Sequence, residues 1–83
     1  MLKHRCPCCG YYTLDSYKEY DICEVCFWED DPSQRDDETD GDGANKVSLR
    51  DARINYQRFG ACEEAMLCHV RKPKPDEQTG IDD

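Results

Sequence analysis

The sequence has no long hydrophobic run, so nothing in it approaches the roughly 18 apolar residues of a membrane-spanning helix. Its first residues, MLKHRCPCC, carry charge but no apolar stretch, so they do not read as a secretory leader. Apolar bulk is scarce: hydrophobic residues make up 37% of 83 positions and charged residues 36%. That is enough for one domain with a thin core, which by itself supplies no more than about 3–5 kcal/mol. Small domains close such a gap with a disulfide, a metal or a partner. Cysteine, by contrast, is abundant, with seven in the chain. An odd count without a leader argues against a fully paired secreted scaffold. It points instead to the cytoplasm, where thiols stay reduced, and so to a metal.

Positive charge is also short. The net charge is −8, and four thiolates around one dication would take it to about −10. Nucleic acid phosphates repel such a chain unless its basic residues gather on one surface. Most of them fall in three separated groups: Lys3, His4 and Arg5; Arg50, Arg53 and Arg58; Arg71, Lys72 and Lys74. Nothing in the sequence obliges them to meet. A protein partner is therefore expected before nucleic acid, and no membrane.

The chain reads as a single cysteine-rich domain over 1–70 and a flexible, extended tail over 71–83, where two prolines and a glycine accompany one large apolar residue, Ile81. YYTL (11–14) and EYDI (19–22) flank the polar DSYK, the pattern of a short hairpin. Residues 29–46 are acidic and rich in turn formers, a solvated loop. Ser48, with Asp51 three positions on, reads as a helix N-cap. Leu49, Ala52, Tyr56 and Phe59 then form one helical stripe, and Gly60 is placed to end it. Residues 61–70 continue in helical spacing, with Cys62, Ala65, Met66 and His69 on one face, until Pro73.

The chemistry lies in the cysteines. Cys6 and Cys9 form a C-x2-C pair, and Cys23 and Cys26 form a second after thirteen intervening residues. Two such pairs at this separation match a structural metal site, because a tight turn aims two thiolates at one ion. Pro7 presets the dihedral after Cys6, and Gly10 permits a left-handed turn after Cys9. These neighbours make Cys9 the partner of Cys6 and leave Cys8 as the spare thiol. A redox C-x2-C needs a βαβ context that is missing here. Four thiolates suit zinc, the commoner occupant of short ribbons, and also suit a mononuclear iron electron carrier. With four cysteines at hand the site is closed and structural.

The segments CPCCGYYTL, YDICEVCFWEDDP and GANKVSLRDARINYQRFGACEE, covering residues 4–64, resemble the cysteine-rich CPCC domain family of bacterial proteins. The resemblance implies a rubredoxin-like or zinc-ribbon metal site at Cys6, Cys9, Cys23 and Cys26, and no particular activity. One departure from ribbons in general is Glu24 and Phe27 in the second pair, where proline and glycine are common.

The other candidates have plainer readings. Cys8, Cys62 and Cys68 behave as small apolar residues, with a Cys8–Cys62 contact if the helix packs on the first pair. His4 and His69 are spare ligands to a tetrahedron already filled. A Cys62–His69 nucleophile lacks an orienting group and a pocket. Glu38, Asp40, Asp42 and Gly43 open like a calcium loop, but the twelfth position is Leu49 instead of glutamate. Phe27 and Trp28 are expected to pack on the helix stripe and shield the sulfurs. The expected fold is thus a small α+β metal-bound domain, a ribbon-like β-hairpin with one or two C-terminal helices. The expected role is non-catalytic: a zinc-stabilised module for protein–protein interaction. The alternatives are an iron-binding electron carrier and a nucleic-acid-binding ribbon.

Overall fold

Two short strands begin the chain in the computed structural model, which describes residues 2–82. Strands β1 (His4–Arg5) and β2 (Tyr12–Leu14) pair antiparallel, His4 opposite Leu14 and Arg5 opposite Tyr12, with an irregularity in between. The reversal joining them is the CPCCG turn itself. This corrects the expected pairing of residues 11–14 with 19–22. Residues 15–19 form bends, with Lys18 and Tyr20 both at positive φ. Their backbone is satisfied by side chains instead of a ladder: the Lys18 N–H donates to Asp30 at 2.9 Å, and the Asp15 N–H donates to Asp21. Ile22 instead bridges Glu29. Each cysteine pair therefore sits in its own tight reversal, where few residues must be ordered to bring the flanks together.

The acidic stretch is less solvated than its composition implied. Asp31 caps the short helix α1 (Pro32–Asp36) by accepting from the Ser33 N–H, and Pro32 opens it. Asp30 and Gln34 are fully buried. Asp30 is held by the Arg35 guanidinium through two bonds, at 2.9 and 3.2 Å. The Gln34 amide nitrogen faces the carbonyls of Asp40, Asn45 and Val47 at 3.0–3.1 Å. Its oxygen accepts from the Asn45 backbone and side chain at 3.0 and 2.8 Å. Gly43 gives this network room, since a Cβ there would come within 2.6 Å of Asp31. Residues 36–39 and 41–44 remain exposed, as expected of a solvated loop.

Helix α2 (Leu49–Phe59) has the expected limits. The Ser48 hydroxyl accepts from the Asp51 N–H at 3.1 Å, and Gly60 closes the helix at φ +88°. The helix does not resume over 61–70. Ala61 and Cys62 are drawn into the core, and the Cys62 N–H donates to the Cys26 carbonyl at 2.8 Å. The chain is thereby tethered to the second cysteine pair, and Glu64–His69 manages only 3-10 turns.

Leu14, Val25, Trp28, Leu49 and Ala52 form the apolar core together with buried cysteines. Phe27 and Tyr56 pack at its edge, as expected, whereas Phe59 lies outside this cluster. Residues 71–82 run back along the first strand. Ile81 pairs parallel with His4, its N–H donating to the Lys3 carbonyl at 2.8 Å and its carbonyl accepting from Arg5 at 3.1 Å. The outer limits of the expected domain and tail, Met1 and Asp83, lie outside the described residues. Among the described residues no helix is long and apolar enough to cross a membrane.

Candidate metal centre

The two cysteine pairs are built on one hydrogen-bond plan. In the first knuckle, the Gly10 N–H donates to the Cys6 carbonyl at 2.9 Å, and the Cys6 N–H donates to the Tyr11 carbonyl at 2.8 Å. In the second, the Phe27 N–H donates to the Cys23 carbonyl at 2.7 Å, and the Cys23 N–H donates to the Trp28 carbonyl at 2.9 Å. The plan needs a left-handed residue just after the second cysteine. Gly10 meets it at φ +85° and Phe27 at φ +69°. The glycine missing from the second knuckle has thus not changed its backbone. Phe27 tolerates a conformation that costs an ordinary residue about 1–2 kcal/mol. Its ring is stacked on His69, centroids 4.8 Å apart and planes at 21°.

The knuckles face each other and bring the sulfurs of Cys6, Cys9, Cys23 and Cys26 within 4.8 Å of one another. Cys6 Sγ lies 3.6 Å from Cys26 Sγ, and Cys9 Sγ lies 3.7 Å from Cys23 Sγ. Sulfurs at the corners of a tetrahedron with metal–sulfur bonds of about 2.3 Å would be about 3.8 Å apart. The donor set therefore fits a four-coordinate ion. Cys6, Cys23 and Cys26 are fully buried, and Cys9 is half-buried. Thiolates this close would repel one another, and a cation held among them would balance their charge.

The cluster's electrostatics favour thiolate at one sulfur. The Cys23 thiol is pulled far below its ordinary value by donation from Cys26, then from Cys6 and Cys9. The Thr13 hydroxyl also donates to the Cys23 sulfur, at 2.9 Å. Cys26 and Cys9 are pushed up chiefly by the Cys23 sulfur they donate to. Cys6 is pushed up chiefly by burial. A cation held by Cys6, Cys9, Cys23 and Cys26 would take the place of the thiol protons, and the Thr13 hydroxyl would support the Cys23 thiolate. Thr13 was not singled out from the sequence. Its only signal was a small hydroxyl residue in a run of bulky ones, placed by β2 on the face toward the cluster.

The remaining candidates divide. Cys8 and Cys62 are buried beside the centre without joining the four-sulfur group, and Cys68 is exposed. Burial pushes the Cys62 thiol up to about 12. Among the described residues neither histidine joins a group that could hold a metal, and neither do Glu38, Asp40 and Asp42. His69 is occupied by Phe27, and His4 lies in β1.

A family model described as cysteine-rich CPCC matches residues 4–77, and the chain belongs to that family. A search of curated proteins finds no match to the chain.

Proposed function

We propose that Cys6, Cys9, Cys23 and Cys26 hold one structural zinc ion, and that the chain is a non-catalytic cytoplasmic module presenting a surface to another protein. The observation that supports the zinc is the closed set of four sulfurs within 4.8 Å of one another, two pairs of them at 3.6 and 3.7 Å and three of the residues fully buried. A closed set leaves no coordination position for a substrate, which favours a structural over a catalytic ion. Zinc bound this way contributes on the order of 10 kcal/mol, comparable with the whole folding free energy of so small a domain. The protein-binding reading is supported by the net charge of −8 and by the exposed acidic residues Asp36, Asp37 and Glu38, which suit a basic protein surface better than a phosphate backbone.

Iron in the same four sulfurs would make the chain a one-electron carrier, and one experiment separates the two. Native and denaturing mass spectrometry of the protein as purified should differ by one zinc atom, and the solution should be colourless. Visible thiolate-to-iron bands with one iron atom would overturn zinc in favour of the carrier. A folded product with no metal would overturn both.

A further inference from the structure

We propose that a cavity beside the first knuckle is a binding site for a phosphate group, carried by a small phosphomonoester or free as the ion. This site goes beyond the protein-binding role and does not depend on it. The cavity has a volume of about 410 Å³ and is lined by Arg5, Arg35 and Arg53 together with the backbone turn from Cys6 to Gly10. Three of the chain's eleven lysines and arginines thus meet in one concavity of a protein whose net charge is −8. No carboxylate lines it. Arg5 and Arg53 come from two of the basic groups that the sequence left apart. Arg35 comes from the acidic stretch and belonged to none of them.

Arg35 is mostly buried, and the more exposed Arg5 and Arg53 are each tied to the turn by a backbone carbonyl. Arg5 Nε donates to the Gly10 carbonyl at 3.2 Å, and Arg53 Nε donates to the Pro7 carbonyl at 2.8 Å. Arg35 is committed to Asp30 and to the Arg5 carbonyl. Arg53 Nη1 is taken by Glu38, and Arg5 Nη1 lies 4.0 Å from Asp82. Both of these carboxylates are more than half exposed, so their pull is weakened by solvent. Arg5 Nη2 and Arg53 Nη2 have no hydrogen-bond partner among the described residues. Two forks, each with an outer nitrogen unpartnered among the described residues, beside a third guanidinium that Asp30 already pairs, form an arrangement that recognises an oxyanion. A carboxylate needs only one fork and one charge. A phosphate monoester carries about −1.5 to −2 and three terminal oxygens, enough to engage both outer nitrogens at once and to compete with the solvent-exposed Glu38 and Asp82. The volume exceeds the phosphate itself and falls in the range of small-ligand sites.

The competing explanation is that the arginines only balance the thiolates of the metal centre, since Cys6 and Cys9 also line the cavity. Calorimetric titration of the full chain, as purified, separates the two. Inorganic phosphate and phosphoserine should bind saturably, and acetate should bind at least about tenfold more weakly. Arg5→Gln and Arg53→Gln should each weaken phosphate about tenfold while metal content stays unchanged. Arg58→Gln, an exposed arginine outside the cavity, should leave it unchanged. Absence of saturable phosphate binding overturns the proposal, and so does equal weakening by Arg58→Gln. Binding of a short single-stranded oligonucleotide but not of phosphoserine would make the cavity part of a nucleic-acid surface instead. If either cavity variant loses its metal, phosphate-induced NMR shifts in the unaltered chain decide. They should centre on the Gly10 amide and the Arg5 and Arg53 Nε–H groups, and shifts centred elsewhere overturn the site.

Discussion

The two knuckles reach one backbone geometry by different means. The first has proline and glycine within the turn, which fit its dihedrals without strain, and it is braced from outside by arginine side chains on the Pro7 and Gly10 carbonyls. The second has glutamate and phenylalanine at the corresponding positions. It is braced by main chain, with the Cys62 N–H on the Cys26 carbonyl at 2.8 Å and the Arg71 N–H on the Glu24 carbonyl at 3.2 Å. The first has its turn dihedrals encoded locally, takes one brace from nearby Arg5 and one from Arg53 in α2, and has a cavity at its side. The second is strained at Phe27 and depends on residues far along the chain. The candidate four-sulfur site thus combines one half whose turn residues suit their dihedrals with one half whose turn is strained, each braced by residues far along the chain.

The strongest way to break the comparison is to remove a ligand. Cys23→Ser should abolish metal retention and the cooperative unfolding transition, because about 10 kcal/mol of binding is coupled to folding. Cys8→Ser, inside the first knuckle, should keep metal content near one equivalent and cost about 1 kcal/mol. Metal analysis with thermal unfolding checks both. Metal loss from Cys8→Ser with retention in Cys23→Ser would reverse the assignment of the spare thiol.

The next test is the left-handed residue. Gly10→Ala should destabilise by about 1–2 kcal/mol from backbone strain alone, since the added Cβ would meet nothing closer than Arg5 Nη2 at 3.5 Å. The same preference for glycine over alanine should hold at Phe27, which has the same left-handed backbone. Phe27→Gly loses the ring contact but relieves the strain, whereas Phe27→Ala loses the contact and keeps the strain. The alanine variant should therefore be the less stable by about 1 kcal/mol in denaturant titrations. Equal stabilities would mean that the second knuckle relaxes when its ring is removed.

This contrast also explains what the sequence made legible. The cysteine spacing, Pro7, Gly10, Ser48 and Gly60 act over a few residues, and the turn, the cap and the helix end they imply are present. The hairpin register was misread because Asp30 and Asp21 satisfy the backbone of residues 15–18, a choice made by side chains in another segment. The acidic stretch was read as solvated because composition does not show that Gln34 and Asn45 will close on each other. Phe27 was weighed as a departure from the ribbon pattern. Its backbone obeys that pattern, held by a ring contact to His69 that local spacing does not encode.

A smaller effect is expected at Thr13, which serves only the second knuckle's sulfur. Thr13→Val keeps the shape and removes the hydroxyl donor to Cys23, a loss of about 1 kcal/mol. Competition with a zinc chelator should show about tenfold weaker retention, in line with the loss of a group that supports a ligand. If the value is unchanged, the hydroxyl does not act on the bound state.

The smallest expected effect is in the outer brace of the second knuckle. Arg71, whose backbone holds the Glu24 carbonyl, pairs through its side chain with Glu77 at 2.7 and 2.9 Å. That pairing lowers the Glu77 carboxyl below its ordinary value. A carboxylate with a lowered pKa in the folded state contributes stability that is present above its unfolded pKa and is lost as the pH falls through the folded one. Arg71 is partly exposed, so the contribution is below about 1 kcal/mol. Glu77→Gln should remove this part of the acid dependence and leave stability near neutral pH only slightly lower. Amide exchange should rise at Arg71, where the N–H faces Glu24, and change less at Gly10, because Ile81 of the C-terminal segment pairs with the strand that flanks the first turn, whereas Arg71 holds the second turn directly. Equal acceleration at both amides would show that the two knuckles open together, and that the division between an unstrained half and a strained half is not a division in stability.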